Sequence, residues 1–275
     1  PPPPPPPFFF QAEAGIRPQP RSRGLGYVYK RQGQTEGLTI TGGAGGDIIT
    51  AGSGNDIITG GAGNDTIAAG ANLKNTDTID GGDGVDNVTL SGANYTNAGL
   101  SSTVFSNMSN VEQITIGSAH SLTLSSNISA TTFDAQTNSA QTLILNDGYT
   151  AATTVVIGSD ASSEDVINNN ANVDLTVQAN NGSLGTDTDI TGSLGLNDVL
   201  NIVNTATGTT TFDTNNDVFE TINLVGYTST AAPTIVTGAY ALVATGGNLT
   251  INANTLTAHE VVTLTGTASV TPMEI

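Results

Sequence analysis

Cysteine and tryptophan are absent from this 275-residue chain, and basic residues nearly are. Without cysteine there are neither disulfides nor thiolate metal sites. No apolar run approaches the roughly 18 residues that a membrane-spanning helix requires, so no membrane span is expected. Of the six basic residues, Arg17, Arg21, Arg23, Lys30 and Arg31 all fall within the first 31 positions, and only Lys74 follows them. That lysine stands against 23 acidic residues between positions 32 and 275, a net charge of −22 for the stretch. Phosphate contacts need Lys and Arg, so nucleic acid is excluded as a partner. An acidic, cysteine-free, lysine-poor chain suits an extracellular setting.

Catalytic constellations are missing as well. His120 and His259 are the only histidines, and "HEVVT" opens like a metalloprotease pattern but lacks the second histidine four residues on. There is no Gly-x-Ser-x-Gly elbow, phosphate loop or dinucleotide fingerprint. Carboxylate clusters that act on acidic sugars usually need basic side chains to hold the polymer, and only Lys74 is on offer. No enzymatic activity is expected.

The opening "PPPPPPPFFFQAEAGIRPQPRSRGLGYVYKRQ" holds nine of the eleven prolines and three of the seven phenylalanines. Residues 1–32 resemble translated sequencing-adapter read-through, with a polyproline linker and basic tail as the alternative, and they are set apart from the fold expected of the remainder.

What the chain does have is glycine and aspartate in register. "GGAGGDIIT", "AGSGNDIIT" and "GGAGNDTIA" follow one another between residues 42 and 68, with Asp47, Asp56 and Asp65 nine positions apart. A fourth copy, "AGANLKNTDTID", carries three extra residues; a fifth, "GGDGVDNVT", restores the length, so that Asp77 and Asp86 are again nine apart. Glycine permits the backbone turn. The three residues after each aspartate form a minimal strand whose middle member points inward, so Ile49, Ile58, Ile67, Ile79 and Val88 are expected to stack as the core. Aspartates can merely cap glycine turns, but like charges brought into register repel. An oxygen-rich, nitrogen-poor, sulfur-free site selects a hard cation such as calcium.

These repeats resemble the calcium-binding repeats of RTX proteins, whose pattern is Gly-Gly-x-Gly-x-Asp-x-apolar-x. The resemblance implies a parallel β-roll over residues 37–92, two nonapeptides to a coil of about 18 residues. It implies calcium between coils, held by turn carbonyls and by Asp47, Asp56, Asp65, Asp77 and Asp86. In that geometry Asp47, Asp65 and Asp86 share one edge, and Asp56 and Asp77 share the other. The three extra residues of the fourth copy bulge outward at the turn.

From residue 93 to 275 glycine thins and Thr, Asn, Ala and Ser take over. Short runs such as "QITI", "TLIL", "VLNIV" and "TINLV" alternate polar with apolar between Asn, Asp and Gly signals. Many short strands and almost no helix are expected, stacked as a β-solenoid or as β-sandwich modules; the fold class is all-β. "LNDVLNIV" is echoed by "VFETINLVG", with Asp198 and Glu220 22 residues apart. This region resembles the Thr/Asn/Ala-rich parts of bacterial surface-layer proteins and large RTX adhesins. Glu112, Glu220 and Glu260 are expected to be solvated charges that keep strand edges from aggregating.

The functional expectation is a secreted, calcium-binding structural protein of the bacterial cell surface that folds and assembles on calcium. Its partners would be calcium ions, further copies of itself or a cell-surface glycan. The alternatives are the calcium-folding and export region of a secreted enzyme, or an RTX adhesin module. The ending "TASVTPMEI" shows no glycine turn or export signal, so the secretion information that RTX proteins carry near their C-terminus is expected beyond it.

Overall fold

The computed structural model describes residues 28–30, 35–70, 73–91, 105, 107–117, 121–124, 128–135, 141–146, 148–157, 166–171, 173–180, 189–191, 197–203, 209–212, 219, 221–225, 234–237, 250–252 and 263–265. Among them there are 22 strands and no α-helix. The first nine are β1 (Val28–Lys30), β2 (Thr39–Ala44), β3 (Ile48–Thr50), β4 (Ile57–Ala62), β5 (Thr66–Ala68), β6 (Thr78–Asp83), β7 (Asn87–Leu90), β8 (Met108–Ser109) and β9 (Gln113–Ile116).

Alternate strands along the chain lie on opposite walls of a β-solenoid. One wall is an eleven-stranded sheet that begins β1, β3, β5, β7, β9 and continues through the strands starting at Thr132, Thr153, Leu175, Val199, Thr221 and Thr250. The other wall is three separate sheets, of which the first is β2, β4, β6, β8. Neighbours pair in parallel, as successive coils of one winding chain must. Of the two arrangements expected for residues 93–275, the strands adopt the solenoid: the long sheet passes from β7 to β9 and onward without a break in parallel pairing. Val28–Lys30, inside the basic opening segment, forms the first strand, with Tyr29 opposite Ile49.

The coil length shows in the register. Ile48 lies opposite Thr66, and Thr39 opposite Ile57, each 18 residues on. The insertion in the fourth repeat lengthens the next step to 21 on both walls, Thr66 to Asn87 and Ile57 to Thr78. Later coils are longer, with Val199 opposite Thr221, 22 residues on.

Inward side chains form files that run from coil to coil. On the long sheet Ile49, Ile67, Val88, Ile114, Phe133, Val155, Val177, Leu200 and Ile222 are mutual neighbours, and all are fully buried. Facing them, Ile40, Ile58, Ile79 and Met108 form a second file. The five apolar positions expected in the core are all there, shared between the two walls. Three-residue strands suffice because each needs only one inward anchor per coil.

Glycine decides the close approach of successive turns. Gly61 and Gly82 have φ of 123° and 103°, in the region L side chains avoid. A β-carbon on either would also run into the carbonyl of the coil before it, that of Gly43 or Gly61.

Candidate metal centre

Each repeat aspartate sits just before a strand, at a bend of the solenoid, and all five are buried, Asp77 the least at 7% exposed. Their side chains turn toward the preceding coil. Asp65 Oδ1 accepts the amide of Asp47 at 2.7 Å, and Asp86 Oδ1 that of Asp65 at 2.8 Å. The carbonyls run the other way: Thr66 donates to Asp47 O and Asn87 to Asp65 O. On the opposite edge Asp77 Oδ1 accepts the amide of Asp56 at 2.9 Å, and Thr78 donates to Asp56 O. The two edges therefore group the aspartates as the repeat spacing implies.

The second carboxylate oxygens differ. Oδ2 of Asp65 and of Asp86 is buried and accepts no hydrogen bond. Each is aimed at the first glycine of its own repeat, where a carbonyl of the following coil also points. A β-carbon on Gly60 would collide with both Asp65 Oδ2 and the Gly81 carbonyl. One on Gly81 would meet Asp86 Oδ2 at 2.6 Å as well as the Asn110 carbonyl. At Gly42 the same place is bounded by Asp47 Oδ2 at 2.6 Å and the Gly60 carbonyl. Three cradles of like construction thus line one edge, each bringing a carboxylate oxygen and a backbone carbonyl toward the same point.

Two oxygens that face one another without a donor are repulsive, and burial sharpens the conflict. Burial pushes the Asp65 carboxyl above its ordinary range; the Asp47 amide opposes this, and the charges of Asp86 and Asp47 add to the rise. Asp86 is raised by the same burial against the Asp65 amide, with Glu112, Asp80 and Asp83 adding to it. Negative charge on this edge is uncompensated by any basic side chain in the described contacts. Hard oxygen donors, half of them carbonyls, suit calcium and its flexible shell. Among the described residues no three His, Cys, Asp or Glu side chains gather as a metal cluster, so such a site would draw on backbone carbonyls beside the carboxylates.

Two members of this edge escape the repeat pattern. Glu112, expected as a solvated charge, is instead half-buried, and its Oε2 accepts the Asp86 amide at 2.8 Å, continuing the series past the last nonapeptide. Asn110, at φ 50°, supplies the carbonyl that closes the cradle at Gly81, and its amide group donates to Asp80. Further along, buried Asp198 accepts the amide of Leu175 at 2.8 Å and gives its carbonyl to Thr221. The echo between "LNDVLNIV" and "VFETINLV" was the signal for it. Glu220, Glu260, His120 and His259 lie outside the described residues.

The fold and this edge define a parallel β-solenoid whose turns present carboxylates and carbonyls in register. Residues 39–72 match the family model of the RTX calcium-binding nonapeptide repeat (4 copies), so the chain carries RTX repeats, and RTX nonapeptide repeats bind calcium. No curated protein and no solved structure matches the chain.

Proposed function

We propose that this is a secreted structural protein of the bacterial cell surface, not an enzyme, whose repeat region folds on calcium and whose solenoid assembles with further copies once calcium neutralises it. The observation that carries this reading is the row of cradles at Gly42, Gly60 and Gly81. Asp47, Asp65 and Asp86 would hold calcium there with the carbonyls of Gly60, Gly81 and Asn110.

The bound ion supplies positive charge that the chain lacks. The chain's own part is to hold one carboxylate oxygen fixed through Oδ1, by the amide of the preceding coil, while leaving the other directed at the cradle. A stretch carrying −22 charges resists self-association until divalent ions screen it, which ties assembly to the same cation. Scarce calcium inside a cell and plentiful calcium outside would then separate export from folding.

Electron microscopy of the calcium-loaded full-length protein tests this. Ordered sheets or surface-attached assemblies that chelator disperses are expected. A monomer that turns over a polysaccharide or protein substrate would overturn the reading in favour of a secreted enzyme. A monomer that binds a cell-surface glycan without turnover would favour an adhesin.

A further inference from the structure

The two edges of the roll are not chemically alike. On the edge of Asp56 and Asp77 all four carboxylate oxygens already hold a backbone amide. Asp56 Oδ1 accepts Leu38 N–H at 2.9 Å and Oδ2 accepts Gly52 N–H at 3.1 Å. Asp77 Oδ1 accepts Asp56 N–H at 2.9 Å and Oδ2 accepts Lys74 N–H at 2.8 Å.

The positive charge on this edge is covalent. The Lys74 ammonium donates to the carbonyl of Ser53, in the turn of the coil before it. Thr76 binds Asn55 of that same turn through its hydroxyl at 2.8 Å. The longer fourth repeat, residues 69–80, is what carries Lys74 out to this position, and Lys74 is the sole basic residue after Arg31. The repeat at 51–56 also opens with Ala51, where the repeats at 42, 60 and 81 open with the glycine that their cradles require.

We infer that Lys74 closes the Asp56–Asp77 edge in place of a metal ion, so that calcium occupies only the edge of Asp47, Asp65 and Asp86. The inference rests on the calcium reading above and narrows it: two of the five repeat aspartates are turn caps, and the insertion exchanges a metal site for a tethered ammonium. An ammonium needs only one or two acceptors and tolerates solvent, whereas calcium needs six to eight oxygens. The amide-saturated carboxylates of this edge fit the former.

Calcium titration calorimetry on the full chain decides the matter, comparing wild type with Asp65→Asn and Asp77→Asn. Asp77→Asn should keep the wild-type number of bound ions, and Asp65→Asn should lose at least one. Equal loss in both variants would overturn the inference while leaving the calcium reading intact; no binding by wild type would overturn both. Should a variant fail to fold, anomalous diffraction from wild-type crystals grown with calcium gives the same decision. Peaks are expected beside Gly60 and Gly81 and none beside Ser53, and a peak beside Ser53 would refute the assignment.

Discussion

Replacing Asp65 by asparagine should have opposite effects with and without calcium. The amide oxygen of asparagine can still accept the Asp47 N–H that Asp65 Oδ1 accepts at 2.7 Å, so the cap between coils survives. The new NH2 group would face the Gly81 carbonyl in place of a carboxylate oxygen, turning a repulsive pair into a hydrogen bond. In chelator, Asp65→Asn should therefore show at least as much β structure as wild type. In calcium it forfeits one cradle. With a site constant of about 1 mM and about 10 mM calcium, one site contributes about 1.4 kcal/mol. For a protein of this size that corresponds to roughly 3–6 °C in melting temperature. Asp65→Ala is the control: it also strands the buried Asp47 amide, costing about 1–3 kcal/mol whether or not calcium is present. Circular dichroism melts of the three proteins in chelator and in calcium give the comparison. If Asp65→Asn retains the full calcium-induced rise, Asp65 does not hold the ion and the cradle argument fails.

Calcium at millimolar concentration should raise the β signal of the chelated protein while magnesium, which demands a tight octahedral shell, substitutes poorly; identical spectra in chelator and calcium would refute this. Gly60→Ala should abolish part of the calcium response, because its β-carbon fills the space between Asp65 Oδ2 and the Gly81 carbonyl; unchanged calorimetric stoichiometry would count against the site. Acidity should favour the metal-free roll. The folded-state carboxyls of Asp65 and Asp86 lie above the ordinary value of 3.8, so their contribution to stability is lost as pH rises through that range and regained on acidification, and a chelated sample that loses β signal between pH 7 and about pH 4 would contradict it. Ile67→Ala, in the middle of the buried file, should cost about 2–5 kcal/mol in calcium, read as a fall in melting temperature; a shift within error would mean the file is not packed as described.

The repeat made much of this architecture readable in advance. A nine-residue period with one aspartate and one inward isoleucine dictates coil length, the two edges and the two apolar files, because nothing else in so short a unit can be buried. What stayed hidden depends on contacts that no period encodes. The difference between the edges comes from where the loop of the fourth repeat sends Lys74 and the Gly52 amide, which sequence spacing does not specify. Asn110 does the work of a turn glycine at φ 50°, a conformation asparagine tolerates but no glycine announces. In the second half, Thr132–Ala135 ("TFDA") and Val166–Asn169 ("VINN") are strands whose polar members face outward; stacking on neighbouring coils overrides their weak individual preference.

The parallel stacking of coils also fixes how the molecule answers to tension. Its strands run across the solenoid axis, so a pull along that axis opens coils one after another and does not shear a whole sheet at once. Stacked strands are spaced about 4.8 Å apart, while an 18-residue coil drawn straight reaches about 60 Å. Each coil released therefore lengthens the chain roughly twelvefold over the space it occupied, and ions bound between coils would set the force at which that reserve begins to pay out.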